Sequence, residues 1–192
     1  EYSFIYNDAK RIAYYFREKQ KLKDIQNRRK NLTIETSQKV GVDTTAHTVV
    51  LILGESLAKN HMSLYGYYRK TTPFLDSLSS LYRFNDVVAS ATQTRTAMMM
   101  MLTPATTRNL NLYYNSESLI NVVNNAGYTS WWISNQMMFG ISDTETSVIA
   151  KDAHHNAFIN TDWTTASMDE KLIEPLRSAL KYESTKKFII LH

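Results

Sequence analysis

The 192-residue sequence predicts an α/β fold, a mainly parallel β-sheet flanked by helices on both faces. Three observations predict it. The apolar run Val49 to Leu53 stops abruptly at Gly54-Glu55-Ser56, which reads as a strand buried on both faces, as in parallel sheets. Strand-like segments near 47–54, 83–89, 128–134 and 187–191 alternate with helical ones, the βαβ pattern. Each strand ends on something polar: Glu55, the Thr92/Thr94/Thr96 cluster, Asn135 with Gln136, and His192. Chemistry in open α/β sheets sits just beyond the carboxyl ends of the strands. Such ends converging on one sheet edge point to an active site.

Length and composition suit one domain with a substantial core, at 43% hydrophobic and 21% charged residues. The formal charge of +4 is unevenly placed. Between Ala9 and Lys30 lie nine Lys/Arg and two Asp/Glu, so that segment carries +7 and the remainder −3. The basic character belongs to an N-terminal arm. Nucleic-acid binding is excluded on that pattern, because the rest of the domain is net negative. There is no cysteine, hence no disulfide framework and no thiolate metal site. No apolar run approaches the ~20 residues that span a bilayer. The sequence begins mid-helix and stops on a core strand at its functional end, so a fragment of a longer protein is expected.

Taken in order, residues 1–30 space Ile5, Ala9, Ile12, Phe16, Leu22 and Ile25 as an approximate helical stripe among Lys and Arg. Such a helix packs on the domain by one face, or lies beside a membrane with its basic face on anionic headgroups. Residues 31–45 lack periodicity and read as a linker. Thr72-Pro73 is an N-cap with proline at the first helical position, predicting a helix from Pro73 to about Ser80 that buries Phe74, Leu75, Leu78 and Leu81. Residues 83–89 return as a strand. Ser90 to Ala97 then opens a helix through a cluster of hydroxyls, and the four methionines that follow are core filler. Residues 116–126 form a helix that Gly127 ends, and Tyr128 to Ser134 is the next strand. A short helix over 141–150, a short strand over 156–160 and a helix over 168–182 precede the last strand, Phe188 to Leu191.

Glu55 is a metal ligand or catalytic group, or else a carboxylate at the positive end of the next helix. The threonines are caps, or hydroxyls that meet a phosphoryl group at a helix N-terminus. A carboxylate, a threonine and a histidine together suit hard-metal or zinc chemistry with an alcohol nucleophile. A free threonine is a poor nucleophile at neutral pH, and a bound divalent cation lowers its pKa. The sequence has no His-Glu-x-x-His, P-loop, GxGxxG or Gly-x-Ser-x-Gly motif. His154-His155 is adjacent in sequence, so the two rings diverge on most backbones.

Three stretches carry a resemblance: Val-Val-Leu-Ile-Leu-Gly-Glu-Ser at 49–56, His-Met-Ser-Leu-Tyr-Gly-Tyr at 61–67 and Arg-Lys-Thr-Thr-Pro-Phe-Leu-Asp at 69–76. In that order they closely resemble the bacterial phosphoethanolamine transferases, sulfatase-like members of the alkaline phosphatase superfamily. The likeness covers roughly residues 46–192, which it implies are the N-terminal part of the catalytic domain, truncated at the C-terminus. Residues 1–45 would be the basic juxtamembrane helix and linker.

The resemblance implies that Glu55 and Thr94 are ligands of Zn2+ and that Thr94 is the nucleophile, with Thr92 and Thr96 as competitors. It places His192 near the substrate phosphate or a second metal, and Asn135 and Gln136 in contact with substrate. Further metal ligands, an Asp-His pair, would follow residue 192, so the fragment alone should be inactive. Cysteines that flank the nucleophile in some members are absent, with Ser90 and Met100 near their places. The implied reaction moves phosphoethanolamine from phosphatidylethanolamine to a cell-envelope acceptor, lipid A or the lipopolysaccharide core, through a phospho-threonine. The implied location is the inner membrane, reached through transmembrane helices preceding residue 1, with the catalytic domain facing the periplasm. A phosphoglycerol transferase or hydrolase of the superfamily, and a non-catalytic envelope-binding domain, are the alternatives. A sulfatase proper is disfavoured, because Thr94-Arg95-Thr96-Ala97-Met98 does not fit Cys/Ser-x-Pro-x-Arg.

Overall fold

Strands β1 (His47–Ile52), β2 (Thr129–Ser134), β3 (His155–Phe158) and β4 (Lys186–Leu191) form one parallel sheet in the spatial order β1-β4-β2-β3. The computed structural model describes residues 2–30, 32, 45–136, 145–160 and 167–192, the side chains of 2–5 and 30 excepted. The helices, in chain order, are α1 (Tyr2–Lys30), α2 (Pro73–Asp76), α3 (Thr94–Leu102), α4 (Leu112–Asn115), α5 (Leu119–Asn125), α6 (Glu145–Ala150) and α7 (Ile173–Lys181).

The alternation of strand side chains divides the core in two. Trp132, Phe188 and Ile190 face α1 and α3 to α6, packing with Leu22, Ile25, Met98, Met99, Leu102, Tyr113, Ile120 and Ile149. Trp131, Ile133, Ile189 and Leu191 face the other way, onto Leu172 and Ala179 before and within α7. Crossover handedness explains the division. The steps β1 to β2 and β2 to β3 run in one direction across the sheet, whereas β3 to β4 runs back. Right-handed crossovers put opposite steps on opposite faces. Helices on both faces are therefore what the connectivity demands.

Several expectations need correction. β1 is not buried on both faces: it lies at the sheet edge, bonded to β4 alone, with Val49 45% and Ile52 72% exposed. Only Leu51 and Leu53 turn into the core. Residues 83–89 form no strand. Their polar groups are engaged instead by the loop before α2, where Lys59 donates to the Asn85 carbonyl and Arg83 donates to the Leu64 carbonyl at 2.9 Å. Val87 and Val88 are exposed as a result. The helix expected over residues 73–80 ends at Asp76, and Phe74, Leu75 and Leu78 are exposed. Pro73 does open it, but the Thr72 hydroxyl donates to the Asp76 carboxylate at 3.0 Å rather than capping the backbone. The helix over 168–182 is split into a 3-10 turn (Asp169–Leu172) and α7. Most of the linker over 31–45 lies outside the described residues, as does the 141–144 part of the helix predicted ahead of α6.

α1 docks by its last turns only. Leu22, Ile25 and Arg29 are buried, while Tyr6, Ile12, Tyr14 and Phe16 are exposed. Arg29 is the anchor. Its guanidinium donates to the carbonyls of Tyr113 (2.9 Å) and Ser116 (3.0 Å) and to Asp152 Oδ2 (2.6 Å), and lies over the Tyr113 ring. Asp152 also receives the Ser118 hydroxyl at 2.7 Å, and Ser118 and Asn121 form the capping box that starts α5. One buried ion pair thus joins α1, α4, α5 and the turn after α6. Gly127 ends the α5 segment at φ +85°, two residues before β2.

Removing one partner of a buried ion pair strands the other. Arg29→Ala should therefore lower unfolding stability by about 3–5 kcal/mol, read as a shift of the urea midpoint, with new proteolytic cleavage in α1. Asp152→Asn in the same background should cost less than its single effect. A Cβ on Gly127 would meet no atom within 4 Å, so its cost is conformational only. Gly127→Ala should cost about 1–2 kcal/mol in the same titration.

Candidate active site

The spatial order of the strands decides which carboxyl ends are neighbours. β4 lies between β1 and β2, so His192 falls between Glu55 on one side and Ser134, Asn135 and Gln136 on the other. The backbone reinforces this. Leu53 N–H donates to the Leu191 carbonyl (2.8 Å), His192 N–H to Ile133 (2.9 Å) and Asn135 N–H to His192 (2.6 Å).

Glu55 stands on a sharp turn. Ser56 adopts φ +49°, the left-handed region that a non-glycine residue occupies at a cost of about 1–3 kcal/mol. Thr94 is the first residue of α3, and its hydroxyl donates to Glu55 Oε1 at 2.6 Å. Among the described residues no hydrogen bond joins Thr92 or Thr96 to Glu55. The cluster of hydroxyls does open a helix, but from a loop and not from a strand. Gln93, the residue before α3, supplies no side-chain cap, so the first N–H groups of the helix have no cap from that side chain. They form an electropositive end directly beside the Thr94 hydroxyl.

Arg95 holds that end in place. Its Nε (2.8 Å) and Nη2 (2.5 Å) both donate to Glu145 Oε2 on α6, and the Glu145 carbonyl accepts the buried Tyr113 hydroxyl at 2.8 Å. Burial pushes the Tyr113 phenol well above its ordinary range, so it serves as a permanent donor. Sequence reading missed Arg95 and Glu145, although the position of Arg95 next to Thr94 was a usable signal.

On the other side of His192, Asn135 is fully engaged. Its Nδ2 donates to Ser167 O (3.0 Å) and Asp169 Oδ1 (2.9 Å), and its Oδ1 accepts from the Ser167 hydroxyl (2.6 Å). That amide braces the strand end against the loop before α7. Gln136 is exposed, with its N–H donated to Ser134 Oγ at 3.0 Å. His192 Nδ1 lies 3.1 Å from the same Ser134 oxygen, while its Nε2 is buried with no hydrogen-bond partner among the described residues. Burial pushes the His192 ring below the ordinary histidine range, and the Glu55 carboxylate partly opposes it. Its imidazole is neutral near pH 7.

His154 and His155 do diverge. His154 Nδ1 accepts the Ser130 N–H at 3.1 Å, whereas His155 stacks on Trp131. No group of three or more His, Cys, Asp or Glu residues able to hold a metal occurs among the described residues. Glu55 and Thr94 fit part of a divalent-cation site, as two oxygen donors already converging at hydrogen-bond distance. A catalytic zinc takes three protein ligands, so a third donor has to be added to that pair.

Comparison with known proteins identifies the family. The family model described as sulfatase matches residues 47–192. Phosphoethanolamine transferase EptC of Escherichia coli O18:K1:H7 is 36% identical over 151 residues, which are 76% of this chain and 26% of EptC. Phosphoethanolamine transferase CptA of Salmonella typhimurium matches at the same identity and coverage. This chain thus spans about a quarter of the length of those relatives. The zinc complex of the C-terminal periplasmic domain of Escherichia coli EptC superposes with a TM-score of 0.71 at 34% identity, over 77% of this chain and 43% of that one. The match across residues 47–192, with relatives at 36% identity, shows that the chain belongs to the sulfatase family.

Proposed function

We propose that this chain is the N-terminal part of the catalytic domain of a zinc-dependent phosphotransferase that moves phosphoethanolamine from phosphatidylethanolamine to a cell-envelope acceptor, lipid A or the lipopolysaccharide core. The observation that carries the proposal is the 2.6 Å hydrogen bond from the Thr94 hydroxyl to Glu55 at the start of α3. Relatives named phosphoethanolamine transferase support the transferred group. The zinc complex of the Escherichia coli EptC domain supports the metal. That domain is periplasmic, which also supports placing this one in the periplasm, attached to the inner membrane.

Thr94 Oγ1 attacks the donor's phosphorus, forming an Oγ1–P bond as the P–O bond to diacylglycerol breaks. The hydroxyl proton leaves through Glu55, which already accepts it, and one proton is returned to the departing diacylglycerol oxygen. An acceptor oxygen then attacks the same phosphorus, the Oγ1–P bond breaks, and Thr94 recovers its proton. When bound by Glu55 and Thr94, a zinc ion lowers the hydroxyl pKa and offsets negative charge on the phosphoryl oxygens. The N–H groups at the start of α3, uncapped by the Gln93 side chain, offer donors to those oxygens. Arg95, held on Glu145, keeps the helix end fixed, and catalysis is mostly positioning and electrostatics. Gln136 and His192 stand on the opposite side of the crevice, where they contact the phosphoryl group or its substituent.

The test is intact mass of the full-length protein, purified with zinc and incubated with phosphatidylethanolamine. A gain of one phosphoethanolamine on the peptide containing Thr92 to Thr96 is expected. Thr94→Ala should abolish the gain without changing the circular dichroism, and Thr94→Ser should retain it at reduced rate. An adduct that persists in Thr94→Ala assigns the nucleophile elsewhere. Glu55→Gln should lose most of the bound zinc, measured by elemental analysis, with the fold unchanged.

A further inference from the structure

Ser134 is fully buried at the carboxyl end of β2 and stands outside the residues so far given a function. Its hydroxyl has one proton and two lone pairs. One lone pair takes the Gln136 N–H at 3.0 Å. The proton needs an acceptor, because a buried donor without one costs about 1–3 kcal/mol. Among the described residues, one acceptor is within reach: His192 Nδ1, at 3.1 Å. If Ser134 donates there, Nδ1 carries the lone pair of the neutral imidazole and Nε2 carries its hydrogen.

The ring's other nitrogen agrees. Nε2 is buried and has no partner among the described residues, on a residue that strand order sets between the ends of β1 and β2. The ring packs against that of Trp132, 5.5 Å between centroids, and the backbone of His192 is tied on both sides to Ile133 and Asn135. An N–H held at that edge is a donor for an anionic oxygen that arrives with the substrate.

We propose that Ser134 is a positioning residue that sets His192 in the Nε2–H tautomer, so that His192 meets the phosphoryl group as a neutral hydrogen-bond donor and not as a metal ligand. This rests on the phosphoryl-transfer function above. The alternative tautomer, with Nδ1–H given to Ser134 and a free lone pair on Nε2, is the one a metal would require.

Nitrogen NMR of the full-length protein, labelled with 15N-histidine, separates the two in zinc-free protein at pH 7.5. The His192 signals are assigned by their loss in His192→Gln. A protonated Nε2 with an unprotonated Nδ1 is expected. Ser134→Ala should mix the tautomers and slow adduct formation on Thr94 by about 10- to 100-fold, the usual effect of losing such a supporting hydrogen bond. Ser134→Thr, which keeps the hydroxyl, should restore both. A protonated Nδ1 in the wild type overturns the proposal, and so does an Nε2–H tautomer that Ser134→Ala leaves unchanged. The expected tautomers without any adduct in the wild type would uphold the Ser134 assignment and overturn the phosphotransferase function instead.

Discussion

The site depends on β4 being hydrogen-bonded along both edges. Its ladders to β1 and β2 are continuous, and the last bonds run past the strand into Leu53, His192 and Asn135. A central parallel strand cannot slip by one residue without exchanging its two buried faces. Here that would swap Phe188 and Ile190 with Ile189 and Leu191, which pack in separate clusters. Burial therefore sets the register, and the register sets where His192 stands relative to Glu55 and Ser134. The chemistry at the edge inherits its precision from apolar residues well away from it.

A second line of contacts fixes α3. Arg29 binds the carbonyl of Tyr113, whose hydroxyl binds the carbonyl of Glu145, whose carboxylate binds Arg95, next to Thr94. Every link is a hydrogen bond with at least one buried or part-buried partner. Such a series suits a helix whose N-terminus has no cap from its own preceding side chain and must be held from outside. It also gives the basic arm a structural tie to the site, although α1 touches the domain only through its last turns.

Which parts were legible in the sequence follows from the distance over which each signal acts. β1, β2 and β4 were readable because a short apolar run ending in Gly-Glu-Ser, Ser-Asn-Gln or a lone His is a local signal. The α5 stop at Gly127 was readable because a left-handed residue is almost always glycine. Residues 83–89 misled because Phe84, Val87 and Val88 have strand composition, but a strand needs a ladder. Their neighbours offered Lys59 and Arg83 contacts instead. β1 misled for a related reason: apolar content does not say whether a strand is central or at an edge. Glu55 was singled out by position and Thr94 by resemblance, yet their pairing across 39 residues, like that of Arg95 with Glu145 across 50, is set by the packing of α3 and α6. Ser134 gave no signal apart from its place at a strand end.

The two sides of the crevice differ in solvation, and the difference sorts their chemistry. Glu55 and Thr94 are exposed, so a cation can reach that carboxylate from solvent. Ser134 is buried and His192 half-buried, and that burial lowers the imidazole's proton affinity, which keeps that side uncharged. A neutral donor in a dry setting binds an oxyanion without first having to be desolvated as an ion, and it adds no positive charge to compete with a cation bound at Glu55. Under the proposed function, charge on the wet side and neutral hydrogen bonding on the drier side would hold a phosphoryl group between two kinds of partner. The register of β4 keeps those partners on opposite sides of it.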